Sequence, residues 1–174
     1  NLVQTSNYDV VLLQETHKVN KRKLQAWASK IGLRVYFNCL DVSDDWETSN
    51  GKSLYFLGTI VLIRNSTFID YTIDHEIADP HRLQKLSVTQ NDESKFTIYN
   101  IYAPSNVGAK QTKFYADLTS TLGHNISETI LSGDFNMIKE ERDAKYATKF
   151  RLTPAAKIWK YYTQAEDMID IFRN

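Results

Sequence analysis

The chain opens on an apolar run, Asp9-Val10-Val11-Leu12-Leu13, that breaks off at Gln14-Glu15-Thr16-His17. That is the pattern of a buried strand ending in a carboxylate. The period then changes. Between Lys21 and Ile31, Leu24, Trp27, Ala28 and Ile31 recur at helical spacing with Lys and Arg opposite, and Gly32 supplies a stop. Arg34-Val35-Tyr36-Phe37 reads as a short strand, so strand, helix and strand open the chain as an α/β unit. Leu54 to Ile63 is β-rich with Gly58 inside it, and Arg64-Asn65-Ser66 makes a tight turn into Thr67 to Ile73, which predicts a hairpin. A second hairpin is predicted from Arg82 to Val88 and from Phe96 to Tyr102, turned at Asn91-Asp92-Glu93-Ser94 and stopped by Ala103-Pro104. Lys110 to Leu122 places Phe114, Leu118 and Leu122 on one helical face, closed by Gly123. Thr129-Ile130-Leu131 is the next strand and runs into Ser132-Gly133-Asp134-Phe135-Asn136. Pro154 suits the first turn of a helix over Ala155 to Ala165, with Ile158, Trp159, Tyr162 and Ala165 as its buried face, and Met168 to Phe172 stays apolar.

Hairpins on both sides of strand-helix-strand units imply mixed sheets covered by helices rather than one parallel sheet. At 174 residues and 42% hydrophobic content the chain suits one domain, and no shift in composition, repeat or linker marks a second. Twenty-one acidic residues balance twenty-one basic ones, so a nucleic-acid partner would be held by local patches and not by the field of the whole molecule. Cys39 is alone, which excludes an internal disulfide and suits a reducing compartment. No run has the apolar length of a membrane span, so no membrane partner is expected.

Strand ends therefore carry Glu15, Tyr102, Asp134 and, two residues on, Asn136. A Glu and an Asp supply hard oxygen ligands for a magnesium-type ion, which usually takes one or two protein carboxylates and keeps several waters. An Asp beside an amide can take a proton from a water and orient it, and a Tyr hydroxyl can donate to a phosphate oxygen. The alternative is that Glu15 and Asp134 are turn carboxylates and Tyr102 is core packing; their joint appearance at strand ends favours a site.

Leu12-Leu13-Gln14-Glu15-Thr16, Gly58-Thr59-Ile60-Val61-Leu62-Ile63, Asn100-Ile101-Tyr102-Ala103-Pro104 and Ser132-Gly133-Asp134-Phe135-Asn136 follow one another in the order seen in the endonuclease/exonuclease/phosphatase superfamily. Within it the chain most resembles the apurinic-endonuclease-like endonuclease domains of LINE-type (non-LTR) retrotransposons, on Gln-Glu-Thr-His, Asn-Ile-Tyr-Ala-Pro and the ending Asp-Met-Ile-Asp-Ile-Phe-Arg. The resemblance implies a DNase I-like α/β fold, a four-layer sandwich of two mixed β-sheets flanked by helices, and nicking of DNA with Mg²⁺ or Mn²⁺. It implies Glu15 as the metal ligand and Asp134 as the residue that orients or deprotonates the attacking water. Asn136 would position that water and bind the phosphate, Tyr102 would donate to the scissile phosphate, and Asp143 would support the site's loop. Arg142, with Lys139, Lys145, Lys149 and Arg151, would form a loop contacting the DNA backbone. Arg82 and Lys85 fall on a strand that some relatives use near DNA. Fusion to a reverse transcriptase and an intracellular, nuclear location also follow from the resemblance alone.

The superfamily's first strand would precede Asn1, and its late Asp strand and closing Ser-Asp-His motif would follow Asn174, so residues 1–174 read as an incomplete excerpt of a longer protein. Ser105 stands where relatives usually have Asn. Two other readings stay open: a phosphatase of the same superfamily, and a catalytically inactive remnant that binds a partner. The rest reads more plainly. Asp41, Asp44, Asp45 and Glu47 belong to a solvated loop rather than a calcium site. Lys18, Lys21, Arg22 and Lys23 form a basic cluster that either touches phosphates or, the favoured reading, is a solvated helix face. Trp46 either stacks on a base or anchors its loop. His17 packs beside Glu15, whereas His75, His81 and His124 read as surface residues in turns.

Overall fold

A computed structural model describes residues 8–43, 57–91, 93–138 and 151–171. Its elements, in chain order, are β1 (Val10–Gln14), α1 (Lys21–Lys30), β2 (Leu33–Asn38), β3 (Thr59–Arg64), β4 (Thr72–Asp79), β5 (Leu83–Gln90), β6 (Glu93–Tyr102), α2 (Ala109–Leu122), β7 (Thr129–Asp134) and α3 (Pro154–Ala165). They fall into two compact units. The first holds the chain up to Tyr102 together with Glu128–Asp134; the second holds Ala103–Ser127 and the chain from Phe135 onward.

Among the described residues, all seven strands belong to the first unit, in two sheets of order β1-β3-β2 and β4-β5-β6-β7. The three-stranded sheet is antiparallel throughout, and the four-stranded one is mixed, because β7 joins β6 in parallel. β3 shows why the sheets stack. Its run Thr59-Ile60-Val61-Leu62-Ile63 is buried without a break, so both of its faces must be covered. Ile60 and Leu62 pack with Ala28, Leu33 and Cys39 under α1. Val61 and Ile63 point the other way, against Leu86 and Val88 of the second sheet. Burying four such side chains contributes about 1.5–3 kcal/mol each before entropy is charged. Asn20 caps α1, its side chain accepting from the Lys23 N–H at 2.8 Å.

The sequence-based hairpin from Leu54 to Ile73 is not formed. β3 pairs with β1 and β2, and β4 starts only at Thr72 and pairs with β5 in the other sheet. Phe68 is buried in the turn segment between them, which carries the chain from one sheet to the other. The opening strand-helix-strand segment forms as expected, although β3 lies between its two strands. The second hairpin is present, antiparallel with a bulge between Val88 and Thr89, and so is the strand-helix-strand passage over β6, α2 and β7.

In the second unit α2 and α3 share an aromatic cluster. The Trp159 ring lies 5.7 Å from Tyr115, 5.3 Å from Phe135 and 5.8 Å from Tyr162. Tyr162 donates its hydroxyl to the Gly123 carbonyl at 2.8 Å, and Pro154 opens α3 with Thr153 as its cap. No helix among the described residues is long and apolar enough to cross a membrane.

Candidate active site

β1 ends at Gln14, and Glu15 follows in the left-handed region at φ 53°. Such a φ costs a non-glycine residue and turns the carboxylate sharply out of the strand direction. The turn is held from behind: the Thr16 N–H donates to the Gly58 carbonyl at 3.2 Å. A Cβ at Gly58 would stand 2.6 Å from Thr16 Oγ1 and 2.8 Å from Cys39 Cβ, so only glycine lets the two segments approach. Glu15 itself is exposed, and His17 beyond it is also exposed.

Tyr102 closes β6 two residues before Pro104. Its ring is buried, and its hydroxyl donates to Glu15 Oε1 at 2.7 Å. Asp134 ends β7 and lies opposite Tyr102 in the parallel register. The Gly before it is required by that pairing. Gly133 has φ 141° and sits against Ile101, whose backbone nitrogen would be 2.7 Å from an added Cβ. The Tyr102 phenol is pushed up to about 12, chiefly by burial, then by its hydrogen bond to Glu15 and that group's charge, with Asp134 adding in the same direction. Arg82 works against them. Its guanidinium lies 5.3 Å from the Tyr102 ring centre and donates to the Tyr102 carbonyl at 3.0 Å. Three strand ends of the first unit thus bring together Glu15, Tyr102 and Asp134.

Asn136 belongs to the second unit, at φ 45°. Its Nδ2 donates to the Ala103 carbonyl at 2.8 Å, and its own carbonyl accepts from Gln111 Nε2 at 2.6 Å. Gln111 is 1% exposed and also donates to the Pro104 carbonyl at 2.9 Å. Within the second unit this buried amide ties Asn136 to Pro104, beside the bond from Asn136 to Ala103, and the sequence reading passed it over as an ordinary helix residue. Arg142, Asp143, Lys139, Lys145 and Lys149 lie outside the described residues, as do Asp44, Asp45, Trp46 and Glu47; Arg151 is exposed.

Two histidines differ from their sequence reading. His75 is on β4, half-buried, with Nε2 3.0 Å from Gln84 Oε1 and its ring 5.3 Å from Tyr36; burial holds it below the usual imidazole range. His81 does sit in a turn, but it is half-buried, and burial lowers it as well. His124 is exposed as expected, paired to Glu166 at 2.6 Å.

The donor set bears on a metal. Glu15 and Asp134 are two carboxylates at neighbouring strand ends, one of them open to solvent, which suits an ion that keeps most of its waters. No group of three or more His, Cys, Asp or Glu able to hold a metal occurs among the described residues, so a closed protein cage is not what they offer. Of the two carboxylates, Glu15, exposed beyond the end of β1, would hold such an ion.

No protein-family model and no curated protein sequence matches the chain. Solved structures do. An AP endonuclease from Archaeoglobus fulgidus matches at 18% identity over 90% of this chain, with TM-score 0.62. The 3′ phosphatase NExo from Neisseria, solved bound to a product DNA hairpin, matches at 16% identity over 94% of this chain, with TM-score 0.57. The chain spans 60% and 63% of the length of those two proteins. The likeness establishes the fold of this chain as DNase I-like, with two sheets, one antiparallel and one mixed, and three helices among the described residues.

Proposed function

We propose that this chain hydrolyses phosphodiester bonds in DNA at the cluster of Glu15, Tyr102 and Asp134, as an endonuclease domain of the LINE-type. One observation carries the reading: the buried Tyr102 hydroxyl bonded to the exposed Glu15 carboxylate at 2.7 Å, with Asp134 opposite Tyr102 on the neighbouring strand. Rigid strands deliver side chains from three distant points of the sequence to one place, and a tyrosine donor between two carboxylates is chemistry for an anionic, metal-bound ester. The motif order and the fold shared with an AP endonuclease support it.

Each residue has a defined task in this reading. Tyr102 keeps its proton at neutral pH, as an ordinary phenol does, and burial with the Glu15 contact pushes it further up, to about 12. It therefore presents a donor, to Glu15 in this structure and to a phosphate oxygen when substrate is bound. Asp134 orients a water and takes its proton. Asn136, fixed by Ala103 and Gln111, positions that water and contacts the phosphate. Glu15 would hold Mg²⁺ or Mn²⁺, and such an ion would supply Lewis-acid stabilisation of charge developing on the phosphoryl group. Arg142 contacts the DNA backbone and Asp143 supports the loop, both as extensions of the family pattern. Fusion to a reverse transcriptase, a role in retrotransposition and a nuclear location belong to the same proposal and rest on the sequence motifs.

Supercoiled plasmid incubated with the protein in Mg²⁺ or EDTA tests it, beside Asp134→Ala. Metal-dependent open circles that disappear in Asp134→Ala support the reading; nicking that survives in Asp134→Ala refutes it. A second reading, removal of a 3′ phosphate from a DNA end, is favoured by the likeness to NExo. Release of phosphate from a 3′-phosphorylated duplex without cleavage of internal bonds would establish that one instead.

A further inference from the structure

The space between the two sheets is lined by aliphatic and aromatic side chains, yet it holds fully buried amides, Gln84 on β5 and, nearer the strand ends, Asn100. Asn100, on β6, is 0% exposed. Its Nδ2 donates to the Leu13 carbonyl and to the Ile60 carbonyl, each at 3.1 Å, and its Oδ1 accepts from Gln14 Nε2 at 2.6 Å. Burying a carboxamide is costly unless its polar atoms are paired, and here both amide hydrogens and the oxygen have partners. An aliphatic residue would fill the space more cheaply. What the amide adds is direction, since hydrogen bonds fix angles and register where apolar contacts slide.

Its position gives that direction a use. Asn100 lies two residues before Tyr102 on the same strand, so their side chains leave the same face of the sheet. Leu13 and Gln14 are the last two residues before Glu15. One amide therefore joins the end of β1, the middle of the three-stranded sheet at Ile60, and the strand that carries Tyr102. The next contact outward is the Tyr102–Glu15 hydrogen bond, made across a residue held at φ 53°. Another buried amide, Gln84 on β5, reaches Thr59 of the facing sheet at 2.9 Å, but that bond lies on β3 and does not touch the end of β1.

We propose that Gln14 and Asn100 are positioning residues of the site: their amide clamp sets the end of β1 against β6 and so holds the Glu15 carboxylate on the Tyr102 hydroxyl. The kinetic consequence rests on the phosphodiesterase reading above; the structural consequence does not.

The test uses Gln14→Leu, which keeps the volume and leaves the two Asn100 bonds to backbone carbonyls in place. Val88→Ala, a cavity in the inter-sheet core, controls for loss of stability alone, and Glu15→Ala supplies the signal of a Tyr102 without its acceptor. The readout is the ¹³Cζ resonance of Tyr102 at neutral pH in tyrosine-labelled protein, with turnover of duplex DNA measured alongside. In Gln14→Leu the resonance should move to the Glu15→Ala position while Val88→Ala keeps the wild-type one. Turnover should fall roughly 10- to 100-fold with KM for DNA changed less than about twofold, as expected for a carboxylate displaced by a fraction of its contact distance. If Gln14→Leu fails to fold, Gln14→Met is judged by the same criteria. A folded variant whose Tyr102 resonance matches wild type overturns the clamp, whatever its activity. A wild-type protein that cleaves no DNA overturns the functional reading and leaves the resonance to decide the clamp.

Discussion

Gly133→Ala tests how the site's aspartate is delivered. Gly133 pairs with Ile101 across the parallel β6–β7 ladder, at φ 141°, and a methyl there would stand 2.7 Å from the Ile101 nitrogen and 2.8 Å from its carbonyl carbon. The obstacle is backbone and cannot swing aside. Forcing an L-residue into this φ region costs about 1–3 kcal/mol, and parting the strands to admit a methyl adds about 1–3 kcal/mol by the measure of overpacked cores. The sum, about 2–6 kcal/mol, is a large share of the 5–15 kcal/mol that holds a typical protein folded. At about 2–4 °C per kcal/mol for a chain of this size, the melting temperature should fall by roughly 4–24 °C. Gly32→Ala separates the two terms, because Gly32 has φ 75° with nothing within 4 Å of its added Cβ; it should cost about 1–2 kcal/mol. Far-UV circular dichroism melts of the three proteins give the comparison. Nicking by Gly133→Ala, measured well below its own melt, should also be reduced, since Asp134 is the next residue. A Gly133→Ala protein that melts no lower than Gly32→Ala would refute the close-approach argument.

Tyr102→Phe removes the hydroxyl bonded to Glu15 Oε1. Because Glu15 is exposed and regains water, stability should change by only about 1 kcal/mol, whereas cleavage should drop about 100-fold or more; urea titration and turnover separate the two. The half-buried histidines set an acid limb. His75 is held below its ordinary 6.5 mainly by burial, with the Gln84 contact opposing, so its neutral form contributes stability above about pH 6.5 that is lost as pH falls through its folded value. The urea midpoint should therefore fall between pH 7 and pH 5, and His75→Gln should flatten that slope.

The strand ends that build the site were legible because each combines an apolar run with an abrupt polar stop: Leu13 to Glu15, Ile101 to Pro104, Leu131 to Asp134. Sheet membership was harder. The turn residues Arg64-Asn65-Ser66 announce a reversal and say nothing of which sheet the next strand joins. The clue lay in the faces. Thr59 to Ile63 is apolar at nearly every position, as a strand covered on both sides must be, whereas Thr72-Ile73-Asp74-His75-Glu76 alternates, as suits an edge with one wet face. Gln14, Asn100 and Gln111 escaped notice because a buried amide looks like any polar residue until its partners are known. Arg82 was placed near DNA by family pattern; its contact with the Tyr102 ring and carbonyl needed coordinates. His75 was misread as a surface residue because its partner, Gln84, sits on the next strand and carries no signal of burial in the sequence.

Under the proposed function, Glu15, Tyr102 and Asp134 form one divalent-metal-dependent site for DNA cleavage. Its most direct measurement is the Mg²⁺ dependence of plasmid nicking by wild type and Glu15→Gln, a change that keeps the shape of the side chain and an oxygen for Tyr102 while removing the charge. Wild-type nicking should rise with Mg²⁺ to a plateau and vanish in EDTA, and Glu15→Gln should need far more Mg²⁺ and reach a lower plateau. Equal Mg²⁺ curves for the two proteins would rule out Glu15 as the metal-binding carboxylate.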